Sequence, residues 1–140
     1  MTENYKILSE FIKDMSSETP DIETYLFVKD NISKYHLTIN ITSKALKNQM
    51  IEVCTTLKYE DKEASEKRSY FEINYATIVK INKEMVDKKK LEKILLCDVQ
   101  KDIYPRLEKA LLNLIHDCGF QDVQFSKKVD FEELYKGKFN

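Results

Sequence analysis

At 140 residues, with a formal net charge of −1 and 34% charged side chains, the chain is long enough for one hydrophobic core and carries no global charge bias towards nucleic acid. Two glycines and two prolines leave little room for linkers or low-complexity tracts, no apolar run is long enough to span a bilayer, and the first residues lack the basic region and apolar run of a secretory signal. Three cysteines, Cys54, Cys97 and Cys118, without paired spacing, point to a reducing cytoplasm rather than a disulfide framework or thiolate zinc site.

The expectation is a single cytoplasmic domain spanning residues 1–140. Residues 5–18 read as a first strand. Tyr5, Ile7, Phe11 and Met15 make one face largely apolar, while the other mixes Leu8 and Ile12 with Glu10, Asp14 and Glu18. Apolar content on both faces points to contacts on both sides, as at a subunit interface. Strict alternation places Asp14, Ser16 and Glu18 on one face as a small acidic ridge.

Pro20 to Ser33 reads as a connector too long for a hairpin. It carries Ile22, Tyr25, Leu26, Phe27, Val28 and Ile32, so it must pack on the body or bind something. His36 to Thr42 alternates as a half-buried strand. Ile51, Val53, Thr55, Leu57 and Tyr59 give the next strand an inward face, opposite Glu52, Cys54, Thr56 and Lys58. Glu60 to Lys67 reads as a hairpin loop. Phe71, Ile73, Tyr75, Thr77, Val79 and Ile81 then form the inward face of a fourth strand, with Tyr70, Glu72 and Asn74 outward.

From about residue 87 the period becomes helical. Leu91, Ile94 and Leu95 begin a short helix, and a stronger one is predicted to start at Pro105, a residue suited to a first turn. Leu107, Ala110, Leu111, Leu114, Ile115 and Cys118 form its apolar stripe, and Gly119 is placed to end it. Asp130 and Glu133 resemble a capping box before a last helix from Phe131 to about Lys136. Strands followed by helices predict an α+β fold: a four-stranded antiparallel sheet with helices packed on one face.

The chain offers little chemistry. His36 and His116 have no local triad or metal spacing, Cys97 and Cys118 fit buried structural thiols, and no phosphate loop, dinucleotide fingerprint or zinc-protease motif occurs. An enzyme is therefore not expected. The lysines from Lys80 to Lys93 are interspersed with acids and read as a solvated loop and helix face. Tyr25, Phe27 and Tyr70 are the aromatics outside the inward faces, where they could anchor a partner. Asp14, Glu18 and Glu72 would form one acidic patch if the first and fourth strands are neighbours.

Four segments resemble the SecB family of protein-export chaperones. Phe11 to Pro20 fills the fixed positions of its first-strand signature, reading roughly [FY]-x-K-D-[ILM]-S-x-E-x-P. Glu72 to Ile78 is similar to its E-V-x-Q-x-G-I-F strand, with both small glycine positions different. Ile103 to Glu108 matches the start of its long helix, and Val129 to Tyr135 its closing V-[ND]-F motif. The resemblance covers nearly the whole chain.

It implies a cytosolic chaperone without ATPase activity, assembled as a homotetramer (a dimer of dimers) and inserting into no membrane. Such a chaperone holds unfolded precursor proteins in apolar grooves and delivers them to SecA, the translocation motor. By the resemblance, SecA binding falls to Asp14, Glu18, Tyr70 and Glu72, with Tyr70 where the family usually has leucine. Client binding falls to Tyr25, Leu26, Phe27, Val28 and Ile32 in the crossover loop from Asp21 to Ser33, where Asn31 stands near a position commonly held by tryptophan. The resemblance implies no cofactor, since the zinc at that contact belongs to SecA. Two alternatives accompany this reading: a SecB-like chaperone dedicated to one client such as an antitoxin, and a small α+β enzyme or metabolite-binding domain.

Overall fold

In the computed structural model, residues 4–61, 63, 67–82, 84, 87–125 and 128–139 are described, with only the backbone of 138 and 139. The elements run β1 (Tyr5–Glu18), α1 (Ile22–Asn31), a 3₁₀ turn (Ile32–Lys34), β2 (His36–Ala45), β3 (Met50–Glu60), β4 (Tyr70–Ile81), α2 (Lys88–Lys93), a π-turn (Ile94–Asp98), α3 (Val99–Asp117) and α4 (Phe131–Phe139). The strands form one antiparallel sheet in the order β1-β4-β3-β2. This is the expected α+β arrangement. The predicted loop between β3 and β4 lies partly outside the described residues.

The alternation of β3 and β4 decides which face is covered. Val53, Leu57, Phe71, Ile73 and Val79 are fully buried, and they meet Val99, Ile103, Leu107, Leu111 and Ile115 of α3 in one hydrophobic cluster. Full burial of each such side chain contributes roughly 1.5–3 kcal/mol. Gln100 is buried within this layer. Its Oε1 accepts from Thr55 Oγ1 at 2.9 Å, and its Nε2 donates to the Leu95 carbonyl at 3.2 Å inside the π-turn. A buried amide left unpaired would cost about 1–3 kcal/mol, so both bonds matter.

The β2–β3 turn is tight. Met50 N donates to the Lys47 carbonyl, and Asn48 and Gln49 between them both have positive φ. Leu46 N also donates to the Met50 carbonyl at 2.8 Å, so three residues, 47–49, make the connection.

Three expectations are corrected. First, β1 does not alternate strictly. Its register against β4 shifts between Ile7 and Ser9 and again between Ile12 and Asp14. Each bulge inserts one residue and swaps the faces. Ile12, paired with Tyr75, therefore lies on the helix side, and Phe11, paired with Ala76, lies on the open side.

Second, the connector after Pro20 is a helix over most of its length. Asp21 caps it, accepting from Thr24 N at 2.8 Å. Its periodicity is masked because apolar residues lie on both sides: Val28 is buried, while Ile22, Leu26 and Phe27 face outward.

Third, Pro105 lies inside α3, not in its first turn. The helical run begins at Lys88, where Asp87 accepts from Lys90 N at 2.8 Å. Pro105 has no N–H, so the usual bond to the Lys101 carbonyl is forgone there.

Gly119 ends α3 as predicted. Its N–H donates to the His116 carbonyl and Phe120 N–H to the Ile115 carbonyl, the paired bonds of a Schellman motif. Gly119 has φ +102°, and a Cβ there would lie 2.7 Å from the Tyr25 ring. Tyr25 OH donates to the Gly119 carbonyl at 2.8 Å, and its ring packs 5.1 Å from that of Phe120. This corner ties α1 to the end of α3.

At the other edge, Glu10 ties β1 to α3. Arg106 Nε and Nη2 donate to its two carboxylate oxygens at 2.9 and 2.8 Å, and Tyr75 OH donates to Oε1 at 2.8 Å. Burial pushes the Glu10 carboxyl up, but the bonds from Arg106 and Tyr75 and the Arg106 charge outweigh it, holding the group below its ordinary value.

Two outcomes follow from these ties. Gly119→Ala should cost about 2 kcal/mol or more, because strain at positive φ adds to the clash with Tyr25, and urea denaturation measures it. Glu10→Gln should cost about 1 kcal/mol at neutral pH. A carboxyl held low in the folded state stabilises above its unfolded pKa of about 4.3 and loses that contribution as pH falls through the folded value. The wild-type advantage over Glu10→Gln should therefore vanish in acid, measured as denaturation midpoints from neutral pH downwards.

Candidate docking and client surfaces

The face of the sheet away from the helices is built from cross-strand rows. Antiparallel partners point to the same side, so the register fixes each row. One row reads Asp14–Asn74–Thr56–Asn40, the next Ser16–Glu72–Lys58–Thr38, and the third Glu18–Tyr70–Glu60–His36. Asp14, Glu18, Tyr70 and Glu72 therefore lie together at one end of the open face, on the adjacent strands β1 and β4. Tyr70 is 40% exposed.

The first two rows floor a shallow trough of about 640 Å³ that reaches from Asp14 on β1 to Asn40 on β2. Its walls are mainly polar. Asp14, Glu60 and Glu72 contribute carboxylates, and Asn74 Oδ1 is buried without a hydrogen-bond partner among the described residues. Lys58 supplies the cation of the trough, its Nζ 3.3 Å from Glu72 Oε1. Further along the face, Lys13 at the second bulge reaches across β4 to Glu52 Oε2 at 3.0 Å, with Cys54 Sγ at 3.9 Å.

The five predicted client residues separate. Val28 is 1% exposed and belongs to the core. Tyr25 is engaged with Gly119 and Phe120. Ile32 lines a groove of about 270 Å³ with Lys29, Tyr59 and the segment from Gly119 to Gln124. Leu26 and Phe27 stay exposed on the outer side of α1, joined by Ile22. Ile22 was named within the connector but not among the client residues; the Asp21 cap followed by one helical turn aligns it with Leu26. A second apolar groove of about 340 Å³ lies between Ile39 and Ile41 of β2, Leu96, and Leu134 and Tyr135 of α4.

β1 adds a further apolar surface. Leu8, Phe11, Ile12 and Met15 are 44–47% exposed along this edge strand. A long edge with apolar side chains invites another chain.

The remaining candidates are structurally ordinary. His36 is exposed, and His116 Nε2 lies 2.8 Å from the Val123 carbonyl. Cys97 is buried, as expected; Cys118 is only partly so, with its Sγ 3.5 Å from Ser17 Oγ. Among the described residues no three His, Cys, Asp or Glu side chains group to hold a metal, and no described helix is long and apolar enough to cross a membrane.

The profile of the SecB family, described as preprotein translocase subunit SecB, matches residues 1–140. The chain belongs to the SecB family. It is 56% identical, over the full length of both chains, to a putative protein-export protein SecB of Pelagibacter ubique. It is 25% identical over 130 residues to the protein-export protein SecB of a Bradyrhizobium species, covering 93% of this chain and 78% of that one. Among solved structures, a SecB-like chaperone of Mycobacterium tuberculosis, in complex with a peptide from an antitoxin, superposes with a TM-score of 0.63 at 9% identity, covering 89% and 91% of the two chains. That likeness is one of fold.

Proposed function

We propose that this protein is a cytoplasmic, non-enzymatic export chaperone that holds unfolded precursor proteins and passes them to the SecA motor. Membership of the SecB family over the whole chain, together with apolar side chains left outward on α1 beside a groove, carries the reading. Ile22, Leu26, Phe27 and Ile32 supply non-directional contact for extended apolar segments of a client, which suits many sequences rather than one. Val28 and Tyr25 support that surface from beneath: one anchors α1 in the core, the other fixes its angle against Gly119.

The acidic end of the open face, with Asp14, Glu18, Tyr70 and Glu72, is the docking site for SecA. Charge complementarity there would set encounter rate and orientation, with a marked dependence on salt. The exposed apolar side chains along the β1 edge, on both of its faces, are the contact through which copies assemble into a homotetramer. This chain itself brings no cofactor to either contact.

Two experiments test the reading. Leu26→Ser with Phe27→Ser should sharply reduce capture of a reduced, unfolded precursor in native mass spectrometry. The urea midpoint should barely move, because both side chains are exposed. Full retention of capture would remove α1 from the client surface. Asp14→Lys with Glu72→Lys should weaken SecA binding about tenfold at low salt, with assembly and client capture intact. Unchanged affinity would reject the docking assignment. Capture of one precursor and refusal of unrelated ones would favour a dedicated chaperone.

A further inference from the structure

The register of the open face shows a feature that the acidic patch alone does not. Lys58 and Glu72 are direct cross-strand partners, and Lys58 Nζ sits 3.3 Å from Glu72 Oε1. The trough around this pair extends beyond β1 and β4 to Thr56 and Glu60 on β3 and to Thr38 and Asn40 on β2. Its carboxylates, on Asp14, Glu60 and Glu72, accept hydrogen bonds and donate none. Such a lining calls for donors, and Lys58 is the one ammonium that lines it among the described residues.

We propose that Lys58 is an internal occupant of this trough, standing where the ammonium of a docked cationic peptide segment binds, and that docking displaces it from Glu72. The inference deepens the SecA assignment and rests on it for the identity of the partner. The occupant is a short, extended, lysine-bearing segment laid across the strands. Four strands at roughly 4.8 Å spacing make a trough about 14 Å across, the reach of four or five extended residues. Its cations replace Lys58 at Glu72 and reach Asp14 and Glu60. Lys58 is about half exposed, with a side-chain exposure of 52%, so it swings into water at little cost. The pair thus lowers affinity for any cationic segment that takes its place at Glu72.

The test compares Lys58→Met, Lys58→Arg and Lys13→Met. Lys58→Met and Lys13→Met each remove one positive charge from the same face, but Lys13 pairs with Glu52 outside the trough. Binding is measured at low salt with full-length SecA and, in parallel, with a short oligolysine peptide. Lys58→Met should tighten both by about two- to fivefold, the scale of an exposed ion pair. Lys13→Met should do far less, and Lys58→Arg should stay near wild type. Unchanged or weaker binding by Lys58→Met overturns the proposal, as does equal tightening by Lys13→Met, which would show only the general field. If SecA binds through Glu72 but ignores Lys58→Met, the inference fails and the docking site stands. If SecA does not bind while the peptide binds Lys58→Met more tightly, the inference stands and the SecA assignment fails.

Discussion

The pairing of β1 with β4 organises both surfaces of the molecule. The first strand of the chain joins the last strand of the sheet, so segments some sixty residues apart lie side by side in twelve paired positions. That pairing brings Asp14 and Glu18 beside Glu72 and Tyr70, which no local spacing could do. It also makes β1 an edge, with Leu8, Phe11, Ile12 and Met15 half open to solvent. Closing a loop that long costs chain entropy before any contact offsets it. The Glu10–Arg106–Tyr75 cluster and the Thr19–Ser69 hydroxyl pair at 2.6 Å fasten the strand along its length.

The inner sheet was the most legible part of the sequence. β3 and β4 carry β-branched or aromatic residues, or Leu57, at every second position, and burial on one face alone allows one register. β1 was legible as a strand but not in its facing, because bulges at Leu8 and near Lys13 leave no mark in the residue pattern. Two errors of one residue cancel, which is why Asp14, Ser16 and Glu18 share the open face while Ile12 does not. The α1 helix was hidden by apolar residues on both sides, although Asp21 after Pro20 is the cap signal that would have found it. Pro105 misled because the same residue suits a first turn and is tolerated inside a long, tightly packed helix.

The candidate sites divide along the same line. Alternation reads Tyr70 and Glu72 as outward on β4, and the register sets Asp14 and Glu18 beside them; the docking role proposed for the four rests on the family resemblance. Which outward residues meet across strands depends on register, and register between β3 and β4 depends on a long loop rather than a short turn. Hence Lys58 was visible as an outward lysine but not as the partner of Glu72. For the client surface, composition identified the segment, while only the fold separates Leu26 and Phe27 outside from Val28 inside.

These placements keep the two proposed activities physically apart. The polar trough lies on the open face of the sheet, while α1 and the Ile32 groove lie with the helix layer and the loop that follows α3. On the proposed assignments, a client held on α1 would leave the trough accessible, and a cationic segment there would compete with Lys58 rather than with the client. The two kinds of contact also respond to opposite conditions. Salt screens the trough, whereas apolar burial is insensitive to screening and is strengthened by strongly hydrated salts. On the proposed assignments, docking and client holding use different surfaces. Between them lies the sheet, whose inward Leu57, Phe71 and Ile73 belong to the same buried cluster as Val28 of α1.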